Sequence, residues 1–154
     1  MLRNFLKTNH DVALTILRLV LGVVFFAHGA QKVFGWFGGY GFSATLQGMS
    51  GMGLPKVVVL LVIATEFAGA LLLIFGALTR LAALGIIGEM IGAVLMVHLP
   101  NGFFMNWTGN QKGEGFEYHL LAIAIAVALL IRGGGAYSVD GALTQTRTGM
   151  RKAA

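Results

Sequence analysis

A chain of 154 residues suits one domain, and its composition, 56% hydrophobic and 11% charged, lies far from the roughly 25% charged residues of a soluble domain, which excludes an ordinary water-facing surface. The net charge of +5 would suggest nucleic acid in a soluble protein. Here the basic residues cluster near the ends of apolar segments, so they read as an orientation signal and no nucleic-acid partner is expected. The absence of cysteine removes disulfides, thiol relays and cysteine metal sites.

In chain order, residues 1–11 form a short basic N-terminus. The apolar stretch after it runs well past the about 7–15 residues of a signal-peptide core, so it is expected to remain as a span. A span needs about 20 apolar residues, and four segments offer themselves: 12–34, 55–78, 81–99 and a shorter one at about 116–131. Thr79 and Arg80 leave only a tight turn between the second and third, which makes those two antiparallel neighbours. The connections 35–54 and 100–115 carry Trp36, Phe37, Tyr40, Phe42, Phe103, Phe104 and Trp107, a set that fits interfacial anchors. Beyond Gly133, Gly134 and Gly135, residues 133–154 read as a polar, flexible tail. The expected fold class is all-α: an integral membrane four-helix bundle over 12–132, antiparallel up-down, with the lipid bilayer as its surroundings. Arg3, Lys7, Arg80, Arg132, Arg147, Arg151 and Lys152 fall on the side of both termini, against Lys32, Lys56 and Lys112 opposite. The excess of cations then places both termini in the cytoplasm and the aromatic loops outside, in a bacterial inner membrane.

Charges inside the spans carry the functional signal. Glu66 and Glu89 lie mid-span and Arg18 interrupts the first segment. Each costs roughly 2.5–3.5 kcal/mol to insert, so such groups pair with one another or line a functional cavity. They sit on stripes of small residues: Arg18, Gly22, Phe25, Gly29 and Lys32 in the first segment, Glu66, Gly69, Leu73 and Gly76 in the second, and Ala82, Gly85, Glu89, Gly92 and Met96 in the third. Small residues let membrane helices approach closely, so the charges are expected to face the bundle interior, with Arg18 bridging Glu66, Glu89 or both. The spare carboxylate of such a trio could exchange protons, which makes Glu66, Glu89 and Arg18 the candidates for proton handling. The alternative is an ion pair that only locks helix register.

A second cluster gathers at the opposite end: His28, Gln31, Lys32, His98, Glu117 and His119. It offers donors to an anionic or quinone-like headgroup, or else consists of interfacial side chains reaching for water. A bis-histidine haem from His28, His98 and His119 is disfavoured, because His98 and Glu89 fall on opposite faces of a regular helix and no haem signature fixes a pair. No zinc motif, phosphate-binding loop or nucleophile elbow is present, so neither a metal nor a covalently bound cofactor is expected.

These residues resemble a family. LRLVLGVVFFAHGAQKVFGWFGG (17–39) is similar to the first-helix signature of the DoxX family, ATEFAGALLLIFGALTRLAALGI (64–86) to its second, and GFEYHLLAIAIAVALLIRGGGAYSVDGAL (115–143) to its close. The resemblance implies a four-helix membrane protein linked to redox at the quinone level, since the family is named after a subunit associated with thiosulfate:quinone oxidoreductase and has relatives tied to oxidative stress. The matching positions are Arg18, His28, Gly29, Lys32, Glu66, Gly69, Thr79 and Arg80. The first expectation is a quinone-interacting subunit of an oxidoreductase system, with redox partner subunits. A non-catalytic scaffold or assembly factor for a redox complex is the alternative, and a small-molecule permease built as a homo-oligomer the weaker one.

Overall fold

The computed structural model describes residues 5–144. Arg3, Arg147, Arg151 and Lys152 lie outside the described residues. The long helices are α1 (Val12–Phe34), α3 (Lys56–Phe75), α4 (Thr79–Asn101) and α5 (Glu117–Arg132). A short helix, α2 (Gly41–Gly51), occupies part of the first long connection, where the sequence suggested only a loop. Among the described residues, α1, α3 and α4 are long and apolar enough to cross a bilayer. The 16 residues of α5 rise about 24 Å, short of the ~30 Å hydrocarbon core, in line with the short fourth segment read from the sequence.

The helix ends follow from local chemistry. Asp11 caps α1, its carboxylate accepting from the Ala13 N–H at 2.8 Å. α3 stops at Phe75, three residues before the predicted end, because Gly76 takes a left-handed φ of +67°. A side chain at Gly76 would also meet the Ser138 Cβ at 2.6 Å and the Arg18 guanidinium carbon at 3.0 Å, so this position admits only glycine. Leu78 is left-handed as well (φ 47°), and α4 begins directly after it.

The connection at 76–78 and the segments that meet it form one end of the bundle, the turn end. Here the sequence reading of a flexible tail is corrected for residues 133–144. Ser138 and Asp140 are buried, and the Asp140 carboxylate accepts from the N–H groups of Leu78 (2.8 Å) and Thr79 (2.9 Å). Asp140 thus caps α4 from a distant part of the sequence and holds the strained Leu78 in place. Arg80, expected in a turn, is in the first turn of α4. It donates to the carbonyls of Leu130 (2.8 Å), Ile131 (3.1 Å), Phe5 (2.6 Å) and Lys7 (2.5 Å), which ties the N-terminal segment to the end of α5.

Arg18 belongs to this end too, and the expected bridge to Glu66 or Glu89 is not formed. Its guanidinium, 2% exposed, donates to the carbonyls of Gly134 (2.9 Å), Leu73 (2.6 Å), Ile74 (2.5 Å) and Tyr137 (3.4 Å), with Asp140 nearby as the counter-charge. The physical reason is the left-handed break after Phe75. It turns the last carbonyls of α3 toward Arg18, Leu73 with only the Gly76 N–H (3.1 Å) on it, and a five-donor guanidinium takes them in preference to a carboxylate farther along the bundle.

Replacing Arg18 with leucine should therefore destabilise the fold by about 3 kcal/mol or more, since several buried carbonyls lose charge-assisted partners, and Asp140→Ala should cost about 3 kcal/mol as well, since it removes both the cap of α4 and the counter-charge of a buried guanidinium. Unfolding in mixed micelles, followed by far-UV circular dichroism, measures both; a loss below about 1 kcal/mol for either contradicts the assignment.

Candidate functional site

The other end of the bundle is looser. α1 and α3 touch backbone to backbone at Gly29, where an added Cβ would stand 2.6 Å from the Glu66 carbonyl carbon and oxygen. One turn further on, Lys32 meets Glu66: Nζ lies 2.5 Å from Oε2, with the lysine side chain 21% and the glutamate side chain 8% exposed. Glu66 itself sits in a π-helical turn, Thr65–Gly69, in the middle of α3. Such wide turns are uncommon and concentrate at functional sites. Lys32, read from the sequence as part of a separate outer cluster, is thus the partner of the mid-span carboxylate.

Glu89 on α4 comes within hydrogen-bond reach of Glu66. Lys32, Glu66 and Glu89 thus form a triad, one basic group beside two carboxyls, and a proton shared by the carboxyls would leave it neutral overall, which lowers the cost of such a group in the hydrocarbon zone.

A cavity of about 960 Å³ surrounds this triad. α1 contributes Phe25, His28 and Lys32, α5 contributes Tyr118 and His119, and α3 and α4 supply long apolar walls. Five of the chain's seven methionines, Met49, Met52, Met90, Met96 and Met105, line it. Flexible, polarisable thioethers adapt to irregular apolar ligands. Tyr118 Oη, His119 Nδ1 and Glu89 Oε2 are among the buried polar atoms that have no hydrogen-bond partner within the described residues. The His119 ring lies 4.1 Å from that of His98, whose Nδ1 is 2.8 Å from the Glu114 carbonyl.

His28, Lys32, Glu66, Glu89, His98 and His119 therefore gather round one space. Arg18, Gln31 and Glu117 do not. Gln31 donates to the Phe37 carbonyl (3.2 Å) and holds the turn after α1, while Glu117 accepts from the Met105 N–H (2.9 Å) and the Trp107 indole (3.3 Å) and folds the second loop. The opposite-face reading of His98 and Glu89 is also corrected. A second π-helical turn, Val94–His98, lies between them, and each residue added to a turn rotates the following face by about 100°. Tyr118 was missed. The sequence signal for it was its place beside His119 at the start of the short fourth segment, where a phenol at bilayer depth needs a partner.

The Lys32–Glu66 contact is open to a double-mutant cycle. Lys32→Met should destabilise the wild type more than it destabilises Glu66→Gln, with a coupling of about 1–3 kcal/mol in micellar unfolding. A coupling near zero would mean that the two charges do not depend on each other.

The comparisons with known proteins agree with this geometry in class. The DoxX family model matches residues 13–99. Among characterised sequences the chain is 31% identical over 124 residues to "Putative oxidoreductase CatD" of Bacillus subtilis (strain 168), covering 80% of this chain and 83% of that protein. It is 31% identical over 135 residues to "Inner membrane protein YqjF" of Escherichia coli (strain K12), covering 88% and 95%. With "Inner membrane protein YphA" of the same organism it shares 28% over 134 residues, covering 84% and 89%. No solved structure matches. With the family match covering more than half of its length and these relatives most of it, the chain belongs to the DoxX family.

Proposed function

We propose that this protein is a quinone-binding subunit of a membrane oxidoreductase system in the bacterial inner membrane, with the turn end facing the cytoplasm. The observation that carries the reading is one cavity in which an apolar, methionine-rich wall meets unpartnered polar atoms of Tyr118 and His119 beside the Lys32–Glu66–Glu89 triad. A quinone ring presents two carbonyl acceptors and an otherwise apolar body. The cavity presents matching donors in the Tyr118 hydroxyl, the Lys32 ammonium and the histidine N–H groups, so the residues present fit such a ligand.

A quinone becomes a quinol by taking two electrons and two protons. With no cysteine and no metal-binding group of three or more His, Cys, Asp or Glu among the described residues, the electrons come from a partner subunit or its redox group. The residues of this chain bind, orient and supply protons. Tyr118 and His119, which line the cavity, would turn donors to the ring, and the Glu66–Glu89 pair would hold a proton within the bundle. Lys32 keeps the remaining carboxylate charge compensated when that proton leaves. The name of the Bacillus relative supports a redox role, and the names of both Escherichia relatives support the inner membrane. The sequence excess of cations on the side of the termini supports the orientation.

Extraction and mass spectrometry of gently purified protein tests this. Wild type should carry quinone near one per chain; Tyr118→Phe and Glu66→Gln should each retain about three- to tenfold less, the loss expected for one hydrogen bond, and Gln31→Ala, outside the cavity, should match wild type. Background quinone in all four, with other polypeptides co-purifying, would move the assignment to a scaffold for a redox complex.

A further inference from the structure

The cavity is not closed on all sides. α3 and α4 are joined by the tight 76–78 connection and pack together from Thr65 towards that end, but the first half of α3, Lys56–Ala64, makes no substantial contact with α4. The two helices splay apart like a V. The opening is lined on the α3 side by Val58 and Leu61 and on the α4 side by Leu84, Gly88 and Met96. Leu61, Leu84 and Met96 are 62%, 56% and 58% exposed, so the opening faces the lipid and is itself apolar.

The α4 wall of this opening is built to leave room. A Cβ added at Gly88 or Gly92 would meet nothing within 4 Å, whereas one at Gly29 would run into backbone. The space is continuous with the polar groups on α1 and α5 at the back, and its volume is at the upper end of the about 300–1,000 Å³ that encloses a drug-sized ligand, more than a single ring needs.

We infer that the opening between α3 and α4 is a lateral window for the hydrocarbon chain of the ligand: the ligand enters from the bilayer, its ring reaches Tyr118, His119 and the triad, and its single apolar chain remains between Val58 and Leu61 on one side and Gly88 and Leu84 on the other. The inference rests on the quinone reading for the ring and adds the chain and the route. It predicts a ligand class, a ring with two carbonyl acceptors bearing one long alkyl or isoprenoid chain, and excludes ligands that arrive from water.

The test uses the full chain in phosphatidylcholine nanodiscs and two probes, a dimethoxy-methyl-benzoquinone without a chain and the same ring with a decyl chain. Membrane partitioning of each probe is subtracted with empty discs. Wild type should bind the decyl probe at least about tenfold more tightly, the gain expected from burying part of an alkyl chain. Gly88→Leu and Leu61→Trp, one from each wall, should bring the decyl probe to the level of the chainless one and leave the chainless probe within about twofold. A Cβ at Gly88 meets no neighbour and leucine favours the helix, so that variant should fold. Equal affinity of wild type for both probes overturns the window and leaves the quinone site standing. Binding of neither probe overturns both. An equal loss of both probes in the variants places these residues at the ring and overturns the window. A change in oligomeric mass in Gly88→Leu with no change in the binding ratio assigns the face to a second copy of the chain, and also overturns it.

Discussion

The approach of α1 to α3 at Gly29 sets the geometry of the site. Lipid gives no hydrophobic drive for two apolar helices to associate, so their separation is decided by how closely the backbones fit and by the polar contacts that fit makes possible. With no side chain at Gly29, the α1 backbone rests on the Glu66 carbonyl, and Lys32, one turn on, reaches Glu66 without crossing a gap. Any larger residue would push the helices apart at the level of the ion pair. A buried lysine and glutamate held apart would each carry an uncompensated charge in hydrocarbon, which neither could bear. The second carboxyl, Glu89, lies beside this pair, and a proton shared with Glu66 would let it join without adding a second negative charge.

The bundle divides into a locked end and a loose end, and both depend on ionisable residues. At the turn end, Arg18, Arg80 and Asp140 spend their hydrogen-bonding capacity on backbone: carbonyls that α3 and α5 leave open, and the N–H groups at the start of α4. Each of these side chains is surrounded by fixed partners from several segments, so none has donors or acceptors to offer a ligand. At the other end, Tyr118, His119 and Glu89 keep polar atoms without hydrogen-bond partners. Unspent hydrogen-bonding capacity inside a membrane is costly, and here it gathers beside a cavity, which is why the proposed ligand is placed at this end.

Much of the fold was legible because hydropathy has few solutions at bilayer thickness. The α1 span matched its predicted bounds, and the stop of α3 missed by three residues only because a Gly76 turn looks like continued apolar helix in sequence. The pairing of charges was not legible. Arg18 and Lys32 stand on the same stripe of α1, and nothing in their spacing says which one meets a carboxylate. The answer lay in residues 133–144, whose glycines and polar side chains read as a tail and instead pack over Arg18. The π-helical turns at Thr65–Gly69 and Val94–His98 were equally hidden, since regular helical spacing is what assigns faces from sequence, and a wide turn resets them.

The glycines show why a stripe of small residues underdetermines its use. Gly22 and Gly29 on α1 bring backbones together, with an added Cβ 3.1 Å from the Ala70 carbonyl at the first and 2.6 Å from Glu66 at the second. Gly88 and Gly92 on α4 also share a helix face and meet empty space. In water, a glycine on a helix facing nothing is a loss of about 1 kcal/mol of helix propensity with no return. In a membrane helix that lines a cavity, the missing side chains supply volume, and the cost in propensity is set against what that volume can hold. Gly22 and Gly29 on α1 therefore read as packing, and Gly88 and Gly92 on α4 as room. Since the room opens from the triad toward the lipid, the bilayer that surrounds the bundle is also the phase from which the proposed ligand would be drawn.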